Sequence, residues 1–180
     1  MRRRYARALL LLSLLIASGL GGAATPTAPV APVAPELPTL PAANWLNSAP
    51  LTLAALLGKP VLVEFWTFGC SNCRNTLPWL EQVHTRYAPK GLTIVAVHTP
   101  EFAHERDRTA VAKAVTRLGI RYPVMIDNDF AYWRALGNNY WPAFYLINPQ
   151  GRIVATRIGE LHAGRRSADE FEAAIAGLLP

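Results

Sequence analysis

A chain of 180 residues, 51% apolar and 17% charged, has room for one domain with a substantial core. Its formal charge of +6 owes most to Arg2, Arg3, Arg4 and Arg7; the rest of the chain carries 14 basic against 12 acidic side chains, which excludes an electrostatic case for nucleic acid. The two cysteines, Cys70 and Cys73, are poorly placed to staple a fold, because linking near neighbours closes only a short loop.

Residues 1–24 read as a secretory signal. The four arginines form its positive start, Leu9 to Ala17 its apolar run and Gly22-Ala23-Ala24 a small-residue cleavage site. The run is short for a bilayer span of about 20 residues, so cleavage is favoured over an uncleaved anchor that would tether the protein to a membrane. In both cases the folded part is expected in a periplasmic or other extracytoplasmic space. Residues 25–43, with proline at 26, 29, 32, 35, 38 and 41, are expected to form an extended, semi-rigid linker, and residues 44–180 the folded domain.

Pro60 to Trp66 is apolar on both alternating faces apart from Glu64, the pattern of a strand covered on both sides. Leu77, Leu80, Val83 and Tyr87 then recur at helical spacing as far as Pro89-Lys90-Gly91. Leu92 to Val97 is a second buried strand. Asp107 to Leu118 follows as a helix with Val111, Val115 and Leu118 on one face and Gly119 at its end. Tyr122 to Ile126 is a short strand, and Asp129 is placed to cap a brief helix carrying Phe130, Trp133 and Leu136. Ala143 to Asn148 and Arg152 to Ile158 form a hairpin around Asn148-Pro149-Gln150-Gly151. Ser167-Ala168-Asp169-Glu170 then opens, as a capping box, a last helix that buries Phe171, Ile175 and Leu178. The order predicts an α/β fold with a central mixed β-sheet flanked by helices, ending in an antiparallel hairpin and a helix.

The chemistry concentrates in Cys70-Ser71-Asn72-Cys73, which follows a strand and opens a helix. Residues three apart on a helix are neighbours, so the two sulfurs can join and part with little backbone movement. A thiolate is the attacking species, and the unpaired N–H groups at the helix start, with Arg74 nearby, favour a negative Cys70. Cys70 is therefore the expected nucleophile and Cys73 the resolving thiol. Glu64, alone among apolar neighbours, is expected to have a raised pKa and to exchange a proton with Cys73.

These residues resemble the thioredoxin superfamily. Trp66 stands four before the first cysteine, Glu64 stands where thioredoxins carry a buried aspartate, Pro78 matches their helix-kinking proline, and Trp141-Pro142 before a strand matches their cis-proline. Phe65 to Cys73, His98-Thr99-Pro100-Glu101-Phe102 and Tyr140 to Ala143 are similar to the exported TlpA-like branch and to the soluble redox module of DipZ-type proteins. The resemblance implies a thioredoxin fold with an extra strand-helix insertion between His98 and Gly119, and thiol-disulfide exchange with protein disulfides or thiols without a bound cofactor or metal. Trp141, Pro142 and Trp66 would face the substrate, and a membrane or exported partner would recycle the cysteines. Gly69 in place of the thioredoxin tryptophan, and Ser71-Asn72 in place of Gly-Pro, imply a different docking surface and potential.

Two other readings stand beside this one. Thr67, three before Cys70, matches the peroxiredoxin Thr-x-x-Cys, but Val63 occupies the place of that motif's proline. A copper(I) carrier would use Cys70 and Cys73 as soft ligands, with His98 and His104 in no recognisable ligand spacing and expected in surface loops. Between the cysteines Ser71-Asn72 places no histidine, which favours a reductase or isomerase over a strong oxidant.

Overall fold

The computed structural model describes residues 30–180; the expected signal and the start of the expected linker lie outside them. Six strands, β1 (Trp45–Leu46), β2 (Val61–Trp66), β3 (Thr93–His98), β4 (Val124–Ile126), β5 (Ala143–Ile147) and β6 (Ile153–Ile158), form one sheet. Their order is β1-β4-β3-β2-β5-β6. Strands β2, β3 and β4 run parallel, while β1, β5 and β6 are antiparallel to their neighbours. This is the mixed sheet of a thioredoxin fold.

Strand β2 lies at the centre, and all six of its residues are buried. Alternation sends Leu62, Glu64 and Trp66 to one face and Val61, Val63 and Phe65 to the other. The first face packs on α2 (Ser71–Tyr87), α3 (Arg108–Arg117) and α5 (Arg166–Ala176) through Leu80, Val83, Val115 and Ile175. The second is covered by α1 (Leu53–Leu56) and α4 (Ala131–Ala135), with Leu53 and Tyr132 against Val63 and Phe65.

The segment expected as an extended, semi-rigid linker packs on this second layer from Ala31 onward, so the compact unit begins ahead of Asn44. Ala34 and Leu37 are buried, and the Ala34 N–H donates to the Gly151 carbonyl at 2.9 Å. Proline keeps the chain extended here, and Ala34 and Leu37 between the prolines reach into the layer. Glu36 accepts from the Leu53 and Ala54 N–H groups and so caps α1.

Two caps differ from expectation. Asp127, not Asp129, serves α4, accepting from the N–H groups of Ala131, Tyr132 and Trp133. The last helix begins one residue before Ser167, with Arg165 as its cap residue, so Ser167 lies inside it. The Asn148 to Gly151 turn forms as expected, the Gly151 N–H donating to the Asn148 carbonyl at 2.9 Å with Gly151 at φ 76°.

Candidate active site

Strand β2 delivers the chain to Thr67-Phe68-Gly69, and α2 starts immediately after Cys70. Cys70 caps that helix: its sulfur accepts the Cys73 N–H at 3.1 Å. Both cysteines are free thiols in two different environments, Cys70 half-buried and Cys73 fully buried. The hydrogen bond from the Cys73 side chain, helped by the Cys73 and Asn72 N–H groups, brings the Cys70 thiol down to about 7 against partial burial and the Glu101 charge. Burial, and then the hydrogen bond to Cys70, hold the Cys73 thiol far above the usual thiol range.

Arg74 has a different task from the one expected. Its guanidinium donates to the Phe68 and Gly69 carbonyls, each at 2.9 Å, and braces the turn that presents Cys70.

Glu64 sits at the centre of the sheet, paired in register with Ala96 on one side and Phe144 on the other. It is 0% exposed, and neither carboxyl oxygen has a hydrogen-bond partner. Burial, and then the Cys70 charge, push its carboxyl up to about 8. It is thus a neutral acid at the start of a reaction near pH 7.

The Trp141–Pro142 bond is cis. The Trp141 indole N–H donates to the Thr99 carbonyl at 3.0 Å, and its ring lies against Trp133 with centroids 4.3 Å apart. Trp141 lines a cleft of about 300 Å³ at Cys70, together with Gly69, Ser71, Asn72, Glu101 and Phe102. Pro142 is buried beside it. Trp66 does not join this surface: it is 1% exposed and packs edge-on against His98 beneath the site. Its even position on β2 directs it into the core, which the spacing to Cys70 alone does not reveal.

His98, expected in a surface loop, is the last residue of β3 and is fully buried. Burial pulls its imidazole down to about 4, against the opposing effect of Glu105. Nε2 lies 3.3 Å from the Thr67 hydroxyl, and Phe68 stacks on the ring. Thr67 is itself fully buried, so its hydroxyl is turned to His98 and not to a peroxide at Cys70. His104 is exposed, in a short turn at Ala103–Arg106.

Sequence reasoning missed two residues. Thr76 is buried in α2, donating to the Asn72 carbonyl and accepting the Leu161 N–H, each at 3.2 Å. Glu105 is a buried acid of the Ala103–Arg106 turn whose carboxylate accepts from Gly69, immediately before the nucleophile. Neither stands out in a one-dimensional reading, because each partner is remote in sequence or is a backbone group.

The Redoxin family profile matches residues 34–175. This chain belongs to the Redoxin family. The redoxin is 41% identical over 119 residues to protein DipZ of Mycobacterium tuberculosis, covering 64% of its own length and 17% of DipZ. It is 31% identical over 110 residues to the thiol-disulfide oxidoreductase YkuV of Bacillus subtilis, covering 61% of its own length and 73% of YkuV. Among solved structures, that of a thioredoxin-like protein in the oxidized form superposes with a TM-score of 0.70 at 26% identity, over 82% of the redoxin and 96% of that chain. The redoxin spans under a fifth of DipZ, so the likeness covers one part of that longer protein. Among the described residues no helix is long and apolar enough to cross a membrane.

Proposed function

We propose that this redoxin is an exported thiol-disulfide oxidoreductase that reduces or isomerises disulfides of protein substrates. The contrast between two thiols one helical turn apart carries the reading: Cys70 is reachable and near 7, whereas Cys73 is buried and held far up. The Cys70 thiolate attacks a substrate disulfide, forming a mixed disulfide and releasing one substrate thiolate. Cys73 then loses its proton and attacks the Cys70 sulfur, which frees the second substrate thiolate and leaves a Cys70–Cys73 disulfide. Two electrons pass to the substrate, and an exported or membrane-bound thiol partner must return them to the protein.

Glu64 is suited to take the Cys73 proton at that moment. The Cys70 charge is one of the two causes of its raised pKa, and this charge disappears once Cys70 is in the mixed disulfide. The carboxyl then gives up its own proton to solvent more readily, and as a carboxylate it accepts the one that Cys73 releases. Trp141 lines the cleft with Pro142 buried next to it in the chain, and the pair is suited to hold an extended substrate segment against Cys70.

A thiolate near 7 supports the reducing or isomerising direction. Thioredoxin-type nucleophiles lie near about 7, while strong oxidants stabilise the thiolate to about 3.5. Export rests on the arginine-rich and apolar start of the chain. The test is turnover of insulin disulfides by the reduced protein. Cys70→Ser is expected to abolish it and Cys73→Ser to trap a mixed disulfide; full activity in Cys70→Ser would overturn the mechanism.

A further inference from the structure

Three backbone N–H groups converge on one buried carboxylate. Glu105 Oε1 accepts from Gly69 at 2.9 Å, and Oε2 accepts from Glu101 at 2.7 Å and from Phe102 at 2.9 Å. Burial opposes its charge, but the Phe102, Glu101 and Gly69 N–H groups and the Thr67 hydroxyl outweigh burial and hold the acid below the usual carboxylate range. The carboxylate thereby ties the residue before the nucleophile to a loop 36 positions further along the chain.

Gly69 is explained by this contact. Its φ lies outside the left-handed region, so the backbone does not require glycine, yet a Cβ there would stand 2.2 Å from Glu105 Oε1. Arg74 holds the carbonyls of the same turn from another side. The clamp also fixes a wall of the Cys70 cleft, because Glu101 and Phe102 line it. Phe102 is 55% exposed there, a large apolar side chain kept in solvent by a restrained backbone.

We infer that Glu105 is a positioning residue that sets the substrate-facing wall of the Cys70 cleft by locking the backbone of Glu101 and Phe102 to the turn that carries Cys70. The inference rests on reading the cleft as a docking site for protein disulfides. A carboxylate suits the task because two oxygens, each with two acceptor sites, serve all the donors; an amide offers one such oxygen.

Insulin reduction by the full chain separates this role from simple stability. At a temperature where each variant is fully folded, Glu105→Ala is expected to raise KM for insulin about tenfold with a much smaller change in kcat, and Glu105→Gln to recover part of the loss. Gly69→Ala should raise KM similarly, and the double variant should be no worse than Glu105→Ala alone. Additive effects, or a lowered Tm with KM unmoved, would overturn the inference. Amide hydrogen exchange supplies a measurement on the wild type that needs no turnover: the Gly69, Glu101 and Phe102 amides should be protected. Exchange at the rate of open-loop amides would refute the clamp. Protected amides in a wild type that does not reduce insulin would instead count against the oxidoreductase reading.

Discussion

Glu64 of β2 and Cys73 of α2 are both buried in the layer between the sheet and α2, and burial above all raises the pKa of each. In the proposed mechanism the Glu64 carboxyl takes the proton that Cys73 gives up. Glu64→Gln, which keeps the shape and removes the exchangeable proton, is expected to slow resolution of the mixed disulfide by about a hundredfold. Single-turnover release of the second substrate thiol measures that step. Identical rates for both proteins from pH 6 to 9 would remove Glu64 from the mechanism.

The same carboxyl gives stability a pH dependence of known sign. Its folded-state value of about 8 lies above the ordinary 4.5, so between these values the unfolded chain sheds a proton that the folded chain keeps. The contribution to stability is whole below pH 4.5 and is lost as pH rises toward 8. His98, drawn from 6.5 to about 4, acts in the opposite sense, costing stability as pH falls below 6.5. Between pH 4.5 and pH 6.5 the two slopes offset each other. Glu64→Leu should gain on the wild type by about 3 kcal/mol between pH 5 and pH 8. Urea unfolding of the reduced proteins at the two pH values tests this, and an equal gap at both would contradict it.

The environments of the two thiols predict that one alkylates and one does not. Reduced protein should react with iodoacetamide at Cys70, with a rate rising through about pH 7, while Cys73 stays unmodified in the folded state. Glu101 opposes the Cys70 thiolate, so Glu101→Gln should move the midpoint to lower pH. Mass spectrometry assigns the modified residue. Comparable labelling of Cys73, or a midpoint unmoved by the substitution, would show that the charge balance at Cys70 has another origin.

Signals carried by neighbouring residues were legible in the chain, and those carried by backbone groups were not. Period-two and helical patterns place β2, α2 and α3 closely, and a strand-turn-helix around Cys70-Ser71-Asn72-Cys73 is readable because its parts are contiguous. The single acid in an apolar strand marks Glu64 as buried before any coordinates. By contrast, β1 has two residues and takes its meaning from pairing with Met125 and Val124, remote in sequence. His98 and Trp66 carry no mark of which face they occupy until the register of β2 on β3 sets them side by side. Gly69 reads as a lost tryptophan, yet its small size answers to a carboxylate 36 positions away.

The α4 cap shows the same limit and yields a direct comparison. Spacing favours Asp129, two residues before the helix, as the acceptor for its first turn. Phe130 instead adopts φ 58°, and this bend turns the first N–H groups of the helix back toward Asp127. Burial raises the Asp127 carboxyl, with the Trp133, Ala131 and Tyr132 N–H groups pulling the other way. Three donors would be left unmet by Asp127→Ala, which is expected to cost about 2 kcal/mol. Asp129 is exposed, so Asp129→Ala should change stability by less than about 0.5 kcal/mol. Chemical denaturation of the two variants under one set of conditions checks the assignment, and a larger loss at position 129 would return the cap to the residue that spacing favours.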